Sequence, residues 1–305
     1  MAFSENYRRQ VALLIRALPL VAEEKMFALK GGTAINLFVR NLPRLSVDID
    51  LMYLPVEGRK ESLASIGAAL KRIAERTKRV IPGSRVTEHV YEGSVTKLFI
   101  RSDGVQIVIE VTPVLRGSVY PPEVRSVTPA VEEKFGFAEI QVVSFADLYA
   151  GKIVAALDRQ HPRDFFDVRG LLANEGIDDV LRRAFIVYMI SHGRPMSEVL
   201  APARKDVTGE FMRGFEGMTE EPIKREELEA AREALIAEIV GSMPPDHRRF
   251  LISFERGDPE WKLLGVPGAP ELPAVLWRQK NLDTLSADKR KALVARLEEV
   301  LAEKR

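Results

Sequence analysis

Apolar positions along the chain mix strand-like and helix-like spacings up to residue 125 and keep almost entirely to helical spacing beyond it. Between residues 6 and 24, Val11, Leu14, Ile15, Leu18 and Val21 fall on one helical face. Phe27 to Lys30 reads as a short strand, Gly31-Gly32 as a turn that opens an apolar helix, and the stretch after the turn at Pro43 as a second strand running to Leu51. Ser62 to Thr77 returns to helical spacing through Leu63, Ile66, Leu70 and Ile73. Val95 to Arg101 and Val105 to Val111 are β-branched runs separated by Ser102-Asp103-Gly104, a hairpin signature. The proline- and acid-rich stretch from Arg116 to Gln141 reads as a connection crossing between domains.

Past that connection the helices dominate. One begins at Ser144 and runs through SFADLYAGKIVAALDR, and a second starts behind Pro162. The apolar AFIVYMI segment, a charged helix from Lys224 to Ile239, a helix ending at Gly257 and a last one from Ser286 to Glu303 complete the chain. The expected architecture is α+β and bilobal: a mixed β-sheet with helices over residues 1–125, then a mostly α-helical domain over residues 126–305.

Composition narrows the classes without choosing one. The 45 Lys and Arg residues nearly balance 44 Asp and Glu, so any nucleic-acid surface must be local. Such a surface is suggested between Ser62 and Thr87, where Lys71, Arg72, Arg76, Lys78, Arg79 and Arg85 face a single acid, Glu75. The absence of cysteine excludes disulfides and thiolate zinc sites and fits a reducing, cytoplasmic setting. His89 and His247 have no partner acids at metal spacing. No apolar run is long enough to cross a membrane.

The candidate chemistry sits in FALKGGTAINLFVRNLPRLSVDIDL, residues 27 to 51. Side chains two apart on a strand share a face, so Asp48 and Asp50 lie side by side while Val47, Ile49 and Leu51 turn into the core. Two carboxylates opposite a glycine turn at a helix start suit a metal-bound triphosphate, because amide N–H groups there donate to phosphate oxygens and acids hold divalent ions. Ser46 falls on the same face as Asp48. Further on, Glu110 stands in an apolar strand, where a carboxylate is costly unless paired or bound to metal. It is therefore the expected third acid beside Asp48 and Asp50.

The order of these parts resembles the DNA polymerase β-like nucleotidyltransferase superfamily. More closely, KGGTAINLFVRNLPRLSVDIDL together with AGKIVAALDRQHPRDFFDV is similar to the AbiEii/AbiGii toxin family of type IV toxin–antitoxin and abortive-infection systems. The C-terminal FLISFERGDPEWKLLGVPGAPELPAVLWRQKNL resembles that family's tail, so the likeness covers nearly the whole chain. It implies a cytoplasmic toxin, monomeric, that uses an NTP and Mg²⁺ or Mn²⁺ to modify RNA, the acceptor being the 3′ end of tRNA, and that is neutralised by a cognate antitoxin encoded nearby. Carried over, Gly31 and Gly32 match the phosphate-binding turn, Asp48 and Asp50 the metal-binding acids, and Lys152 the helix lysine that reaches the triphosphate. Asp164, in Arg163-Asp164-x-x-Asp167, matches a required acid. Much of the superfamily has Gly-Ser where this chain has Gly31-Gly32, leaving Thr33 or Ser46 to supply the hydroxyl.

The assembled expectation places Asp48, Asp50 and Glu110 on the metal ions, with Glu110 taking the proton of the attacking hydroxyl. Lys152 offsets charge on the leaving pyrophosphate, and Lys71, Arg72, Arg76 and Lys78 contact the RNA backbone. A protein hydroxyl or a small molecule would be served by the same acids. The alternative from another class is a non-catalytic RNA- or partner-binding protein on a nucleotidyltransferase scaffold.

Overall fold

The computed structural model describes residues 3–302. Its contacts divide the chain into two compact units: one runs up to Ser144 and takes in Phe215–Pro222, the other comprises Phe145–Gly214 and the chain from Ile223 onward.

The first unit begins with helix α1 (Glu5–Ala22), strand β1 (Phe27–Lys30) and a single α-turn, α2 (Gly31–Ala34), that widens into a π-turn over Ile35–Val39. Strand β2 (Asp48–Tyr53), helix α3 (Arg59–Val80), strands β3 (Arg85–Tyr91), β4 (Ser94–Ser102), β5 (Val105–Arg116) and β6 (Glu123–Ser126), helix α4 (Pro129–Phe135) and strand β7 (Glu139–Val142) follow. The strands form one mixed sheet in the order β3-β4-β5-β2-β1-β7-β6. β2 runs parallel to β5 and antiparallel to β1, so the two acid-bearing strands are neighbours at its centre.

Period-two alternation decides which face of this sheet is covered. On β5, Val105, Ile107, Ile109 and Val111 are buried while Gln106, Val108 and Glu110 are half-exposed, and Leu98 and Ile100 of β4 repeat the pattern. α1 packs on β5 and β7, and α3 packs on β4, burying Ile66, Leu70 and Ile73. The hairpin between β4 and β5 turns at Asp103 (φ 50°) and Gly104 (φ 75°), two successive positive φ values as a tight two-residue turn requires.

Three expectations change. The stretch from Arg116 to Gln141 is not a crossing between domains: it holds β6, α4 and β7, which extend the same sheet. For that reason the boundary moves from residue 125 to Ser144. In addition, Phe215–Pro222 returns to the first unit, where Leu45 donates to the Met218 carbonyl at 2.7 Å, Ser4 to that of Gly217 at 3.0 Å, and Lys134 pairs with Glu220 at 2.6 Å.

The second unit is helical throughout: α5 (Phe145–Arg159), α6 (Pro162–Asn174), α7 (Asp179–Ile190), α8 (Met196–Leu200), α9 (Thr208–Gly214), α10 (Arg225–Ile236), α11 (Pro245–Arg256), α12 (Trp261–Leu264), α13 (Pro273–Asp283) and α14 (Ala287–Ala302). The helix expected over Ser286 to Glu303 is α14, and Glu303 itself lies outside the described residues. α5 is the hub, packing on both α6 and α7. α6 opens as its sequence suggests, with Pro162 in the first turn and His161 capping it by accepting the Arg163 amide at 3.1 Å.

The two faces of β5 should separate in stability measurements. Ile109→Ala empties a fully buried position and should cost about 2–5 kcal/mol in urea unfolding, whereas Val108→Ala on the half-exposed face should cost under about 1 kcal/mol. Equal losses would mean that both faces are covered.

Candidate active site

Register places the acids in one row. Asp50 pairs with Glu110 across β2 and β5, Glu110 with Lys97 across β5 and β4, and Asp50 with Lys30 across β2 and β1. Directly paired residues point to the same side, so the half-exposed face carries Lys97, Glu110, Asp50 and Lys30 in sequence, with Asp48 two residues before Asp50. The charges run plus, minus, minus, plus across four strands.

Gly31 adopts φ 74°, and a Cβ there would stand 2.5 Å from Asp50 Oδ2. The carboxylate therefore occupies the space that any other residue would fill, and only glycine allows the turn to close on it. At Gly32 a Cβ would meet Arg44 Nη2 at 2.7 Å and Ser46 Oγ at 3.0 Å. Both glycines are thus fixed by side chains arriving from β2 and the segment before it. Thr33 Oγ1 donates to the Asp48 carbonyl at 2.5 Å and is hydrogen-bonded to Ser46 Oγ at 3.0 Å. Thr33 and Ser46 are buried, and they bind the start of α2 to the approach of β2.

Arg44 carried no role in the sequence reading, yet its guanidinium is fully buried against Gly32 and donates to the Leu45 carbonyl at 2.9 Å. The signal was its parity: positions 44, 46, 48 and 50 alternate with the apolar Leu45, Val47 and Ile49.

Glu110 does not meet the environment expected for it. Its side chain is 44% exposed, because α1 and α3 cover the opposite face of β5, and its Oε2 lies 2.9 Å from Lys97 Nζ. Among the described residues no three acidic or histidine side chains gather into a metal-holding group. Asp48 and Asp50 nonetheless fit a divalent cation. They offer hard oxygen donors on a half-exposed face, with the Asp50 carboxylate braced by the Gly31 turn. Glu110 stands next to them in register, held by Lys97.

In the second unit Lys152, Asp164 and Asp167 form a closed cluster. Lys152 Nζ lies 2.9 Å from Asp164 Oδ1 and 3.0 Å from Asp167 Oδ2, and all three side chains are almost inaccessible. Arg159, itself mostly exposed, reaches in with Nε 2.5 Å from Asp164 Oδ2 and Nη2 2.9 Å from Oδ1. Burial alone would push the Asp164 carboxyl up, but Lys152 and Arg159 outweigh it and hold the group well below the usual carboxylate range. The resemblance singled out Lys152 and Asp164, and nothing in the sequence signalled that the lysine would be enclosed between Asp164 and Asp167.

Half of the basic residues counted between Ser62 and Thr87 are ion-paired within the first unit. Arg72 binds Glu24 through Nε at 3.0 Å and Nη2 at 2.6 Å, Arg76 reaches Glu24 at 2.7 Å and Glu23 at 3.3 Å, and Lys78 pairs with Glu75 at 2.8 Å. The arginine hydrogen bonds keep the buried Glu24 carboxyl below its ordinary range against the opposing effect of burial. Two of the neutralising acids, Glu23 and Glu24, follow α1, so the local count around Ser62 to Thr87 missed them. Lys71 is exposed.

Comparison with known proteins bears on this arrangement. A family model described as the nucleotidyl transferase AbiEii toxin of type IV toxin–antitoxin systems matches residues 12–278. Among solved structures the chain is similar to the nucleotidyltransferase toxin MenT4 of Mycobacterium tuberculosis H37Rv, with 18% identity, a TM-score of 0.60, and coverage of 91% of this chain and 93% of the other. At that identity the likeness concerns the fold. No curated protein matches the sequence.

The buried cluster makes a measurable demand. Lys152→Met leaves two enclosed carboxylates without their shared ammonium and should cost about 3–5 kcal/mol in urea unfolding. A variant as stable as the parent would make Lys152 a free ligand-binding group. Because the Asp164 carboxyl titrates lower in the folded than in the unfolded chain, its contribution is complete above about pH 5 and is lost as the solution is acidified through the unfolded value near 4 and below. Asp164→Asn should accordingly be less stable at neutral pH and lose less on acidification than the parent.

Proposed function

The chain belongs to the nucleotidyltransferase AbiEii toxin family of type IV toxin–antitoxin systems, and from that premise we propose that it transfers a nucleotide from an NTP to the 3′ acceptor end of tRNA, blocking translation. Family membership implies an NTP substrate and a cognate antitoxin. The tRNA acceptor, Mg²⁺ as the cation and action as a monomer are our own reading. The observation that carries it is the pairing of Asp48 and Asp50 on a half-exposed sheet face with the Gly31 turn closed against the Asp50 carboxylate.

On this reading Asp48 and Asp50 hold the divalent cation, which supplies charge neutralisation on the phosphates and the leaving oxygen. Gly31 and Gly32 let the turn close on Asp50, Arg44 and Ser46, which brings its backbone amides beside the cation-holding acids for the triphosphate. Arg44, Thr33 and Ser46 hold that turn rigid from beneath, so its amides are set before the nucleotide arrives. The terminal hydroxyl of the acceptor attacks the α-phosphorus, a new oxygen–phosphorus bond forms, and the bond to the pyrophosphate oxygen breaks. Glu110 takes the proton of the attacking hydroxyl once its carboxylate is free of Lys97.

Lys152 was expected to neutralise pyrophosphate. Its enclosure by Asp164 and Asp167 favours a supporting role, fixing α5 against α6 within the second unit. With Arg72, Arg76 and Lys78 already paired, the RNA contact proposed for that helix draws on exposed Lys71 and Arg79 and on whatever charge the ion pairs release.

The test is to incubate the protein with each labelled NTP, Mg²⁺ and total tRNA. Label should accumulate on tRNA and fall by at least about a hundredfold in Asp48→Asn and Asp50→Asn. Label on protein or on a small molecule instead would overturn the tRNA assignment, and no transfer to any acceptor by folded protein would overturn the enzymatic one.

A further inference from the structure

Lys97 and Lys30 are the members of the charged row to which the proposed reaction gives no part, and of the two, Lys97 contacts an acid directly. It lies on β4, two strands from Asp50, and its register partner on β5 is Glu110. Its ammonium is 2.9 Å from Glu110 Oε2, and the pair is partly exposed, at 28% and 44% of the two side chains. On the far side of the acids Lys30 stands in register with Asp50, and beyond Lys97 the next position in the row is His89 on β3. The two central carboxylates therefore have a cation on each flank, and the flank beside Glu110 is closed by direct contact.

We propose that Lys97 is a built-in competitor for the divalent cation: it occupies Glu110 in the resting protein, and the third carboxylate joins Asp48 and Asp50 only when the ammonium is displaced. The inference rests on the reading of Asp48 and Asp50 as the cation-holding acids. It follows from three observations: the register that sets Glu110 beside Asp50, the Lys97 contact, and the absence of a gathered three-acid group among the described residues. A lysine tethered on an adjacent strand is always at high local concentration, so free cation must compete with it at every encounter. The partial exposure of the pair limits its strength, which makes it displaceable. The cost is a cation affinity lower than three convergent carboxylates would give. The gain is that Asp50 and Glu110, neighbours of like charge, do not stand uncompensated while the site waits.

The experiment is Mn²⁺ titration of the full-length protein without nucleotide, following free Mn²⁺ by electron paramagnetic resonance. Parent, Lys97→Met, Glu110→Gln and the Lys97→Met/Glu110→Gln double variant are compared, each checked for native circular dichroism. Removing the competitor should tighten Mn²⁺ binding by about three- to fivefold, the scale of a partly exposed ion pair. Adding Lys97→Met to Glu110→Gln should give no such gain. Unchanged or weaker binding in Lys97→Met overturns the inference. An equal gain in the Glu110→Gln background also overturns it, since the lysine would then act only through its general field. Asp48→Asn/Asp50→Asn separates this from failure of the underlying reading: if that variant binds Mn²⁺ like the parent, the cation site itself is wrong, whatever Lys97 does.

Discussion

A carboxylate turned into an apolar core without a partner costs more than most domains have to spare. That constraint decides the geometry of the first unit. β2 alternates apolar residues with two acids and β5 carries Glu110 on its less buried parity, so the arrangement that buries Ile49, Leu51, Ile107 and Ile109 turns Asp48, Asp50 and Glu110 the other way. Covering one face with α1 and α3 leaves the opposite face half-exposed and charged. The site is thus a consequence of how the sheet is covered, and moving either strand by one residue would exchange its acids for its core.

The second unit solves the same problem by enclosure. Asp164 and Asp167 are shut away from water, with Lys152 between them and Arg159 reaching Asp164 from the surface to offset their charge. In both units an acid is held by a lysine, yet the consequences differ with exposure. The Lys152 cluster is inaccessible, so losing one partner leaves buried charge uncompensated. The Lys97 pair is partly exposed, so its partners can separate and the contact can respond to a cation.

Much of this was legible from residue order. The Gly-Gly turn, the two aspartates two apart, the hairpin at Asp103-Gly104 and the helical second half all follow from local rules whose partners lie close in sequence. What escaped were features set by distant partners. β3 was missed because an edge strand whose residues are mostly exposed carries no apolar alternation. β6 and β7 are four residues each and join the sheet through β7, which pairs with β1 more than a hundred residues earlier. The basic count along α3 was local and did not include Glu23 and Glu24 after α1, which pair with Arg72 and Arg76.

Glu110 shows where periodicity stops being informative. Alternation gave its face correctly, and the expectation that a carboxylate in such a strand must find a partner was sound. Pattern alone could not say whether that partner was a metal or a lysine, since both satisfy the charge. The partner is fixed by register, because β4 places Lys97 directly opposite, and register across a hairpin is a property of the turn. A one-residue change in the Ser102-Asp103-Gly104 turn would put Leu98 or Thr96 opposite Glu110 and take the lysine away from the carboxylate. The resting state of the site is therefore written partly in a hairpin turn at the far end of the strands that carry it.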